Sequence, residues 1–252
     1  MALIPLNAET GLGSHPELGR RPPPRDTRGI SERPADPPER ASPQEAAQYV
    51  NLTPETAGVV IRESWQAVIN RVEAGHTLSS EKALCFLFAM EVRDRCGPHT
   101  QVDFENQCYE ELQGESKYLD LLLYTDPQSK VAIEFKLPKK SQYGNTDQTT
   151  TRAKVYRDLA RLSYLRKNSL QACACFFLMA SDEDAYLNNS SIKKHPDFIT
   201  RQGHTITAGN QLIAEGLPLT DVACRFHWTN IQRLGEKWSH TGRFAWLEPI
   251  QL

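Results

Sequence analysis

The sequence lacks the patterns that mark several common protein classes. No run approaches the ~20 apolar residues that a membrane-spanning helix needs, and there is no internal repeat. No C-x-x-C pair, H-x-x-x-H pair, Walker-type phosphate loop, dinucleotide fingerprint or nucleophile elbow is present. These absences argue against a membrane-spanning protein, a paired-cysteine zinc module, a P-loop or dinucleotide-binding enzyme, and an α/β-hydrolase.

The net charge is also close to zero, because the sequence has 29 basic and 31 acidic residues. The overall charge therefore says nothing about nucleic acid, although its distribution along the chain does. The six cysteines show no zinc-type spacing, and we expect reduced, buried thiols. The apolar start MALIPL is too short for a signal-peptide core, so we expect a cytoplasmic protein without a membrane association.

Proline is concentrated at the N-terminus. Residues 1–50 hold nine of the sixteen prolines together with charges of both signs, a composition that cannot bury enough apolar surface to fold. We expect a disordered arm there, which is more often a passive tail than a recruiting segment. A single domain over residues 51–252 should follow, and its first helix should begin at Thr53-Pro54.

Hydrophobic periodicity predicts an α/β domain. A helix lying between two strands of one sheet makes a parallel pair, so the sheet should be mixed and flanked by helices. Residues 181–220 are polar and should form a long loop with a short helix near Gln211. The predicted helices are 53–75, 79–96 and 152–167, and the predicted strands are 101–108, 117–124, 131–137, 170–179, 221–228 and 243–250.

Three charged residues interrupt the apolar strands KYLDLLLY and VAIEFKL. Glu134 and Lys136 alternate with core residues and so share one strand face, and Asp120 lies in the neighbouring strand. Burying charge without a partner costs several kcal/mol, on the order of a whole protein's stability margin, so something must compensate. A structural salt bridge of Lys136 with Glu134 or Asp120 is one solution. The other solution is a Mg²⁺ ion held by the two carboxylates, with the lysine beside them to assist phosphodiester hydrolysis.

Asp120, thirteen intervening residues, and then Glu134-Phe135-Lys136 resemble the motif of the PD-(D/E)XK nuclease superfamily. The resemblance covers about residues 79–180, where the order helix, three strands, helix, strand also matches. It implies a restriction-endonuclease-like αβββαβ core with extra C-terminal strands. It also implies Asp120 and Glu134 as ligands of Mg²⁺ (or Mn²⁺) and Lys136 as the catalytic lysine. Leu119 replaces the motif's proline.

Many members of that superfamily add a glutamate from the first core helix. Glu81 and Glu91 both lie near the apolar stripe of the helix predicted at 79–96, and we prefer Glu81 as a catalytic, metal-binding residue because it comes early in the helix. Glu105, on the first strand, is a lower-ranked candidate.

Basic residues are enriched after the motif. Ten basic residues against three acidic ones lie between Lys130 and Lys167, which suggests phosphate contacts, although a solvated helix face is the commoner explanation. Superfamily members often add a polar residue from the second core helix, for which Gln148, Arg152 and Tyr156 are the candidates. The residues expected to bind nucleic acid are Lys139, Lys140, Arg152 and Tyr156.

These features together predict a Mg²⁺-dependent nuclease that hydrolyses phosphodiester bonds of DNA, most simply as an endonuclease. RNA stays open as a substrate, and a homodimer is a natural arrangement where both strands are cut. The alternatives are a catalytically silent nucleic-acid-binding module of the same fold, since fold does not establish function, and a nuclease subunit that needs a partner.

Overall fold

The computed structural model describes residues 49–109, 117–139, 147–168, 174–188, 196–230 and 244–252. The arm predicted for residues 1–50 lies almost entirely outside these ranges, so its predicted disorder stays a prediction. Over the described ranges the chain has a mixed α/β fold with a mixed central sheet and three α-helices. None of these helices is long and apolar enough to cross a bilayer.

The first two helices begin and end where the sequence predicts. Helix α1 spans Pro54–Glu73, and the Thr53 side chain accepts a hydrogen bond from the Thr56 N–H at its start. Helix α2 spans Glu81–Cys96, is capped by Ser80, and ends at Gly97, whose φ of 86° suits glycine.

Three strands follow, as predicted, and they form an antiparallel meander. They are β1 at Gln101–Gln107, β2 at Tyr118–Tyr124 and β3 at Lys130–Lys136. Strand β1 pairs with β2, which pairs in turn with β3, so β3 reaches the middle of the sheet.

The crossover unit predicted from the sequence is present. Helix α3 covers Gln148–Lys167 and precedes β4 at Ala174–Ser181, which pairs in parallel with β3 from Val131 to Lys136. The helix begins four residues earlier than predicted, because the Asp147 side chain caps it by accepting the Thr150 N–H. Strand β4 continues to Ser181, two residues beyond the predicted end, while positions 170–173 of the predicted strand lie outside the described residues.

The C-terminal region differs more from the expectation. The short helix predicted near Gln211 is wrong, because a two-stranded hairpin forms there with Glu215 and Gly216 at positive φ in its turn. The predicted strand at 221–228 is two short strands, and so is the one at 243–250. The seven elements are β5 Thr205–Ile206, β6 Ile213–Ala214, β7 Leu217–Pro218, β8 Cys224–Arg225, β9 Trp228–Thr229, β10 Ala245–Leu247 and β11 Ile250–Gln251.

The central sheet has the order β1-β2-β3-β4-β10-β9, with β11 also pairing with β4. One face is covered by α1 and α2, whose apolar side chains form a core with alternate residues of β2, β3 and β4. The other face is covered by α3 and the C-terminal region, which form a second core. Both faces of β3 are therefore buried, including the face that carries Glu134 and Lys136.

Candidate active site

The candidate site lies where β2 and β3 separate. Their paired register runs from Tyr124–Lys130 to Leu121–Ile133 and ends there. Asp120 is the next residue of β2, and its Oδ2 accepts a hydrogen bond of 2.7 Å from the N–H of Phe135. A carboxylate thus takes the place of the backbone carbonyl that a continued ladder would have supplied.

Glu81, in the first turn of α2, binds the same edge of β3 as Asp120 does. Its Oε2 accepts a hydrogen bond of 2.8 Å from the N–H of Leu137. Alternate N–H groups of a strand point to the same edge, so the N–H groups of Phe135 and Leu137 both face the gap that β2 leaves. Two carboxylates from distant parts of the chain are therefore fixed side by side on one strand edge.

Glu105 on β1 adds a backbone distortion opposite Asp120. The pairs Phe104–Leu121 and Asn106–Leu119 bracket the two residues, and Glu105 lies between them with a φ of 54°. A non-glycine residue rarely adopts this left-handed conformation, which tends to occur at functional sites. The Glu105 side chain forms an exposed ion pair of 2.7 Å with Lys82 of α2.

A cleft of about 370 Å³ opens between the start of α2 and the strands β1 and β2. This size lies within the range of ligand pockets. The cleft combines three of the acidic candidates, counting the lower-ranked Glu105, with two aromatic side chains and one lysine. It is lined by Glu81, Lys82, Cys85, Phe86, Phe104, Glu105 and Asp120.

Lys136 connects this cleft to the protein interior. Its Nζ lies 3.7 Å from Oε1 of Glu81, 2.7 Å from Oδ2 of Asp158 on α3, and donates a hydrogen bond of 2.6 Å to the carbonyl of Phe135. Burial alone would lower the pKa of Lys136, but the negative charges of Asp158, Glu81 and Asp120 outweigh it and raise the pKa above its ordinary value. The lysine is therefore held as a cation.

Asp158 is fully buried and is the centre of the charged network beneath the cleft. Besides Lys136, its carboxylate contacts Arg157 at 2.9 Å and Arg161 at 3.5 Å. Burial would raise the pKa of Asp158, yet Lys136 and Arg157 reverse the effect and lower it. One buried carboxylate thus orders three cations.

Glu134 lies deeper, on the α3 side of the sheet, and is only 2% exposed. Its Oε1 accepts a hydrogen bond of 3.1 Å from the Tyr109 hydroxyl and lies 3.8 Å from Arg161, whose guanidinium stacks on the Tyr109 ring at 3.8 Å. Burial, with the charges of Asp158 and Asp120, raises the pKa of Glu134 well above its ordinary value.

The predicted site residues are therefore divided between two neighbouring environments. Glu81 and Asp120 line the cleft, and Lys136 reaches Glu81 from below. Glu134 is directed toward α3, where Tyr109 and Arg161 are its partners. In the described ranges, no group of three or more His, Cys, Asp or Glu side chains is close enough to hold a metal ion.

The two helix glutamates have different surroundings. Glu91 is buried and pairs with Arg71 of α1 and with Arg95 at 3.2 Å. Glu81, the preferred candidate, contacts both β3 and Lys136.

Two of the four residues expected to bind nucleic acid, Arg152 and Tyr156, are buried in this structure. Arg152 is buried, donates to the carbonyl of Ala185 and lies over the Tyr186 ring at 5.6 Å. Tyr156 is also buried; its hydroxyl donates to the carbonyl of Ile199 at 2.8 Å, and its ring stacks on Phe198. Both residues thus pack α3 against later parts of the chain.

The two lysines after β3 have different outcomes. Lys139 donates to the carbonyls of Leu78 and Ser79 at 2.8 and 3.1 Å, so it ties the end of β3 to the start of α2. Lys140 lies outside the described residues. On α3, Lys154, Arg166 and Lys167 are exposed, whereas Arg161 is buried, so only part of the basic stretch is a solvated face.

Sequence reasoning missed Asp158, Arg161 and Tyr109 as members of the site. A signal was present for the first, because Asp158 follows Val155 by three positions and precedes Leu162 by four, which places it on the buried stripe of α3. A charged residue on such a stripe needs a buried partner, and Lys136 is that partner.

Comparison with known proteins finds no matching family model, no matching curated protein and no matching solved structure.

Proposed function

We propose that this chain is a metal-dependent nuclease of the PD-(D/E)XK type, with a restriction-endonuclease-like core, that hydrolyses phosphodiester bonds of DNA. The observation that carries the proposal is the meeting of Asp120, Glu81 and Lys136 at the point where β2 and β3 separate, beside an open cleft. The element order α2, β1–β3, α3, β4, with β3 parallel to β4, supports the same assignment.

The cleft residues suit a hard divalent cation. Asp120 and Glu81 offer carboxylate oxygens, and their backbone hydrogen bonds each involve one oxygen of the pair. Mg²⁺ is commonly held by only one or two carboxylates, with waters and substrate phosphates filling the remaining positions. The repulsion between Asp120 and Glu81, which contributes to the raised pKa of Glu81 after the larger effect of burial, is what a bound cation would relieve.

When bound, Mg²⁺ would polarise a phosphoryl oxygen and lower the pKa of a coordinated water. Lys136 is held as a cation next to Glu81, where it can offset charge that develops on the phosphate. Asp158 fixes the position of that lysine from below. Glu134 lies on the α3 side of β3, where its contacts with Tyr109 and Arg161 set its orientation.

A second candidate function is a nucleic-acid-binding module without catalysis. The observation that favours it is the internal pairing of Glu134 and Lys136, since Arg161 and Asp158 give these two buried residues structural partners of opposite charge. Under this alternative, the protein has the same fold and the same cleft but does not catalyse hydrolysis.

Cleavage of plasmid and linear DNA in Mg²⁺, Mn²⁺ or EDTA distinguishes the two candidates. We would compare the native chain with Asp120→Asn, Glu81→Gln and Lys136→Met, each of which removes a charge at nearly constant shape. Asp94→Asn, an exposed change on the same helix as Glu81, is the matched control. DNA affinity, measured in Ca²⁺, accompanies every activity measurement.

The proposed function expects metal-dependent cutting by the native chain and by Asp94→Asn, a loss of at least about 10²-fold in the three site variants, and retained DNA affinity. DNA binding without cutting by any folded form would favour the binding module. Cutting that persists in Asp120→Asn and Lys136→Met would place any active site elsewhere and refute the proposal.

A further inference from the structure

We propose that Phe86 and Phe104, which stand beside the cleft carboxylates, form a stacking site for an unpaired nucleobase. The preferred substrate would then be single-stranded nucleic acid or a single-stranded segment of a larger one. This inference rests on the proposed nuclease function and deepens it by naming the substrate class.

The two rings are unusually exposed for phenylalanine. Phe86 on α2 is 58% exposed and Phe104 on β1 is 41% exposed, although the chain buries most of its other large apolar residues. Their ring centroids are 6.3 Å apart with an interplanar angle of 28°, so the rings are stacked on one another at the surface. Exposed apolar pairs of this kind mark interaction sites more often than isolated exposed residues do.

The position of the pair connects it to the proposed chemistry. Phe86, Phe104, Glu81 and Asp120 all line the same cleft. Among the described residues, β1 is the edge strand of the central sheet, so Phe104 has a neighbouring strand, β2, on one side only. A base stacked on these rings would place its own backbone phosphates near the carboxylates.

The chemistry of the cleft favours an unpaired base over a duplex. In a duplex the faces of the bases are covered by their neighbours, whereas an unpaired base offers its π-face to an aromatic side chain. Lys82 also lines the cleft, and its side chain is 84% exposed. Its ammonium can contact a phosphate of the bound strand, although it also pairs with Glu105. Duplex binding depends on neutralising many phosphates, and α3 keeps only part of its basic residues at the surface.

The test measures the affinity of the full chain for a fluorescein-labelled oligothymidine and for a duplex hairpin by fluorescence anisotropy in Ca²⁺. The variants are Phe86→Ala, Phe104→Ala, Phe104→Leu, which keeps apolar bulk without a ring, and Phe104→Trp, which keeps a ring. Val59→Ala, an exposed apolar change on α1, is the matched control. Circular dichroism and sedimentation velocity check folding and self-association for each variant.

We expect the alanine variants and Phe104→Leu to weaken oligothymidine binding roughly 5- to 150-fold, the range that one lost base–aromatic stack gives. Phe104→Trp and Val59→Ala should bind like the native chain, and the weaker duplex binding should change little. Equal affinities for Phe104→Leu and the native chain would overturn the proposal. The proposal would also be overturned if removing the two rings changed self-association but left oligothymidine binding unchanged. The rings would then be contacting a second copy of the chain rather than a base.

Failure of this inference and failure of the nuclease proposal give different results. A chain that cuts DNA through Asp120, but cuts oligothymidine equally well with and without Phe86 and Phe104, refutes only the stacking site. A chain that cuts nothing, yet loses oligothymidine binding when either ring is removed, refutes only the nuclease.

Discussion

The ammonium of Lys136 and the buried carboxylate of Asp158 lie 2.7 Å apart, and this contact joins β3 to α3 beneath the cleft. Neither residue is stable in the interior alone, because an unpaired buried charge costs several kcal/mol, roughly the range seen when one partner of a buried pair is removed. The pair therefore links the packing of α3 to the position of the lysine that faces Glu81.

Replacing Asp158 by Asn tests this link. The variant leaves Lys136 and two arginines without their shared buried anion, so we expect a loss of about 3–5 kcal/mol in the free energy of unfolding, measured by urea denaturation. The control is Asp221→Asn, which breaks the exposed pair with Lys167 and should cost less than about 1 kcal/mol. Equal losses in the two variants would show that the buried network does not stabilise the fold.

The first half of the fold could be predicted because local signals and tertiary structure agree there. Thr53-Pro54 and Ser80 mark helix starts, Gly97 marks a helix end, and short apolar runs mark β2 and β3. The parallel pairing of β3 and β4 followed from the intervening helix.

The region after β4 could not be predicted because its strands are only two or three residues long. Such strands show no hydrophobic period, and their pairing depends on residues far away in the chain, as in the antiparallel pair β5–β8. The hairpin near Gln211 depends on Glu215 and Gly216 adopting positive φ, which the sequence NQLIAEGLP does not distinguish from a short helix.

The site was only partly predictable for a different reason. Strand alternation correctly placed Glu134 and Lys136 on one face, but alternation cannot show what covers that face. The structure covers it with α3, so the charges that were counted as a basic surface include Arg161, which is used internally. Counting charge along the sequence does not separate buried from exposed residues.

The raised pKa of Glu134 predicts a pH dependence of stability. A carboxyl whose pKa is higher in the folded state binds its proton more tightly in that state than in the unfolded chain. Its contribution to the free energy of unfolding is therefore fully present at pH values below its ordinary pKa of 4.5. That contribution is lost as pH rises through the raised pKa of the folded state. The lowered pKa of Asp158 acts in the opposite sense, because its contribution is present above 3.8 and lost as pH falls.

Glu134→Gln imitates the protonated acid and should isolate the first effect. In EDTA we expect this variant to be more stable than the native chain at pH 8, with a difference that shrinks as pH approaches 4.5. Thermal unfolding across that range measures it, with the exposed change Glu63→Gln as control. A variant that is equally destabilised at every pH would indicate that Glu134 is ionised in the folded chain and paired with Arg161.

Metal addition should stabilise the chain through Glu81 and Asp120. A ligand that binds only the folded state adds about 2.7 kcal/mol of stability at a hundred times its Kd, so Mg²⁺ should raise the melting temperature relative to EDTA. We expect Glu81→Gln and Asp120→Asn to abolish this rise and Asp94→Asn to keep it. A rise that survives in both site variants would place the cation elsewhere.

Cys85 provides the last prediction, because its thiol lines the cleft and is buried. Its side chain is buried, and its Sγ donates weakly to the carbonyl of Asp120 at 3.8 Å. Burial, together with the charges of Asp120 and Glu81, raises the pKa of this thiol well above its ordinary value. Since the thiolate is the reacting species, we expect iodoacetamide at pH 8 to label Cys85 far more slowly in the native chain than in urea, as read by peptide mass mapping.

Asp120→Asn extends this test of the thiol. Removing a negative charge next to Cys85 should speed its labelling while the fold is kept, whereas Asp94→Asn should not. Native labelling as fast as in urea would mean that the start of α2 opens readily, and the geometry of Glu81 would then not be fixed. If labelling is slow in the native chain and faster in Asp120→Asn, the carboxylates produce a negative electrostatic potential in the cleft. That is where we expect a divalent cation to bind.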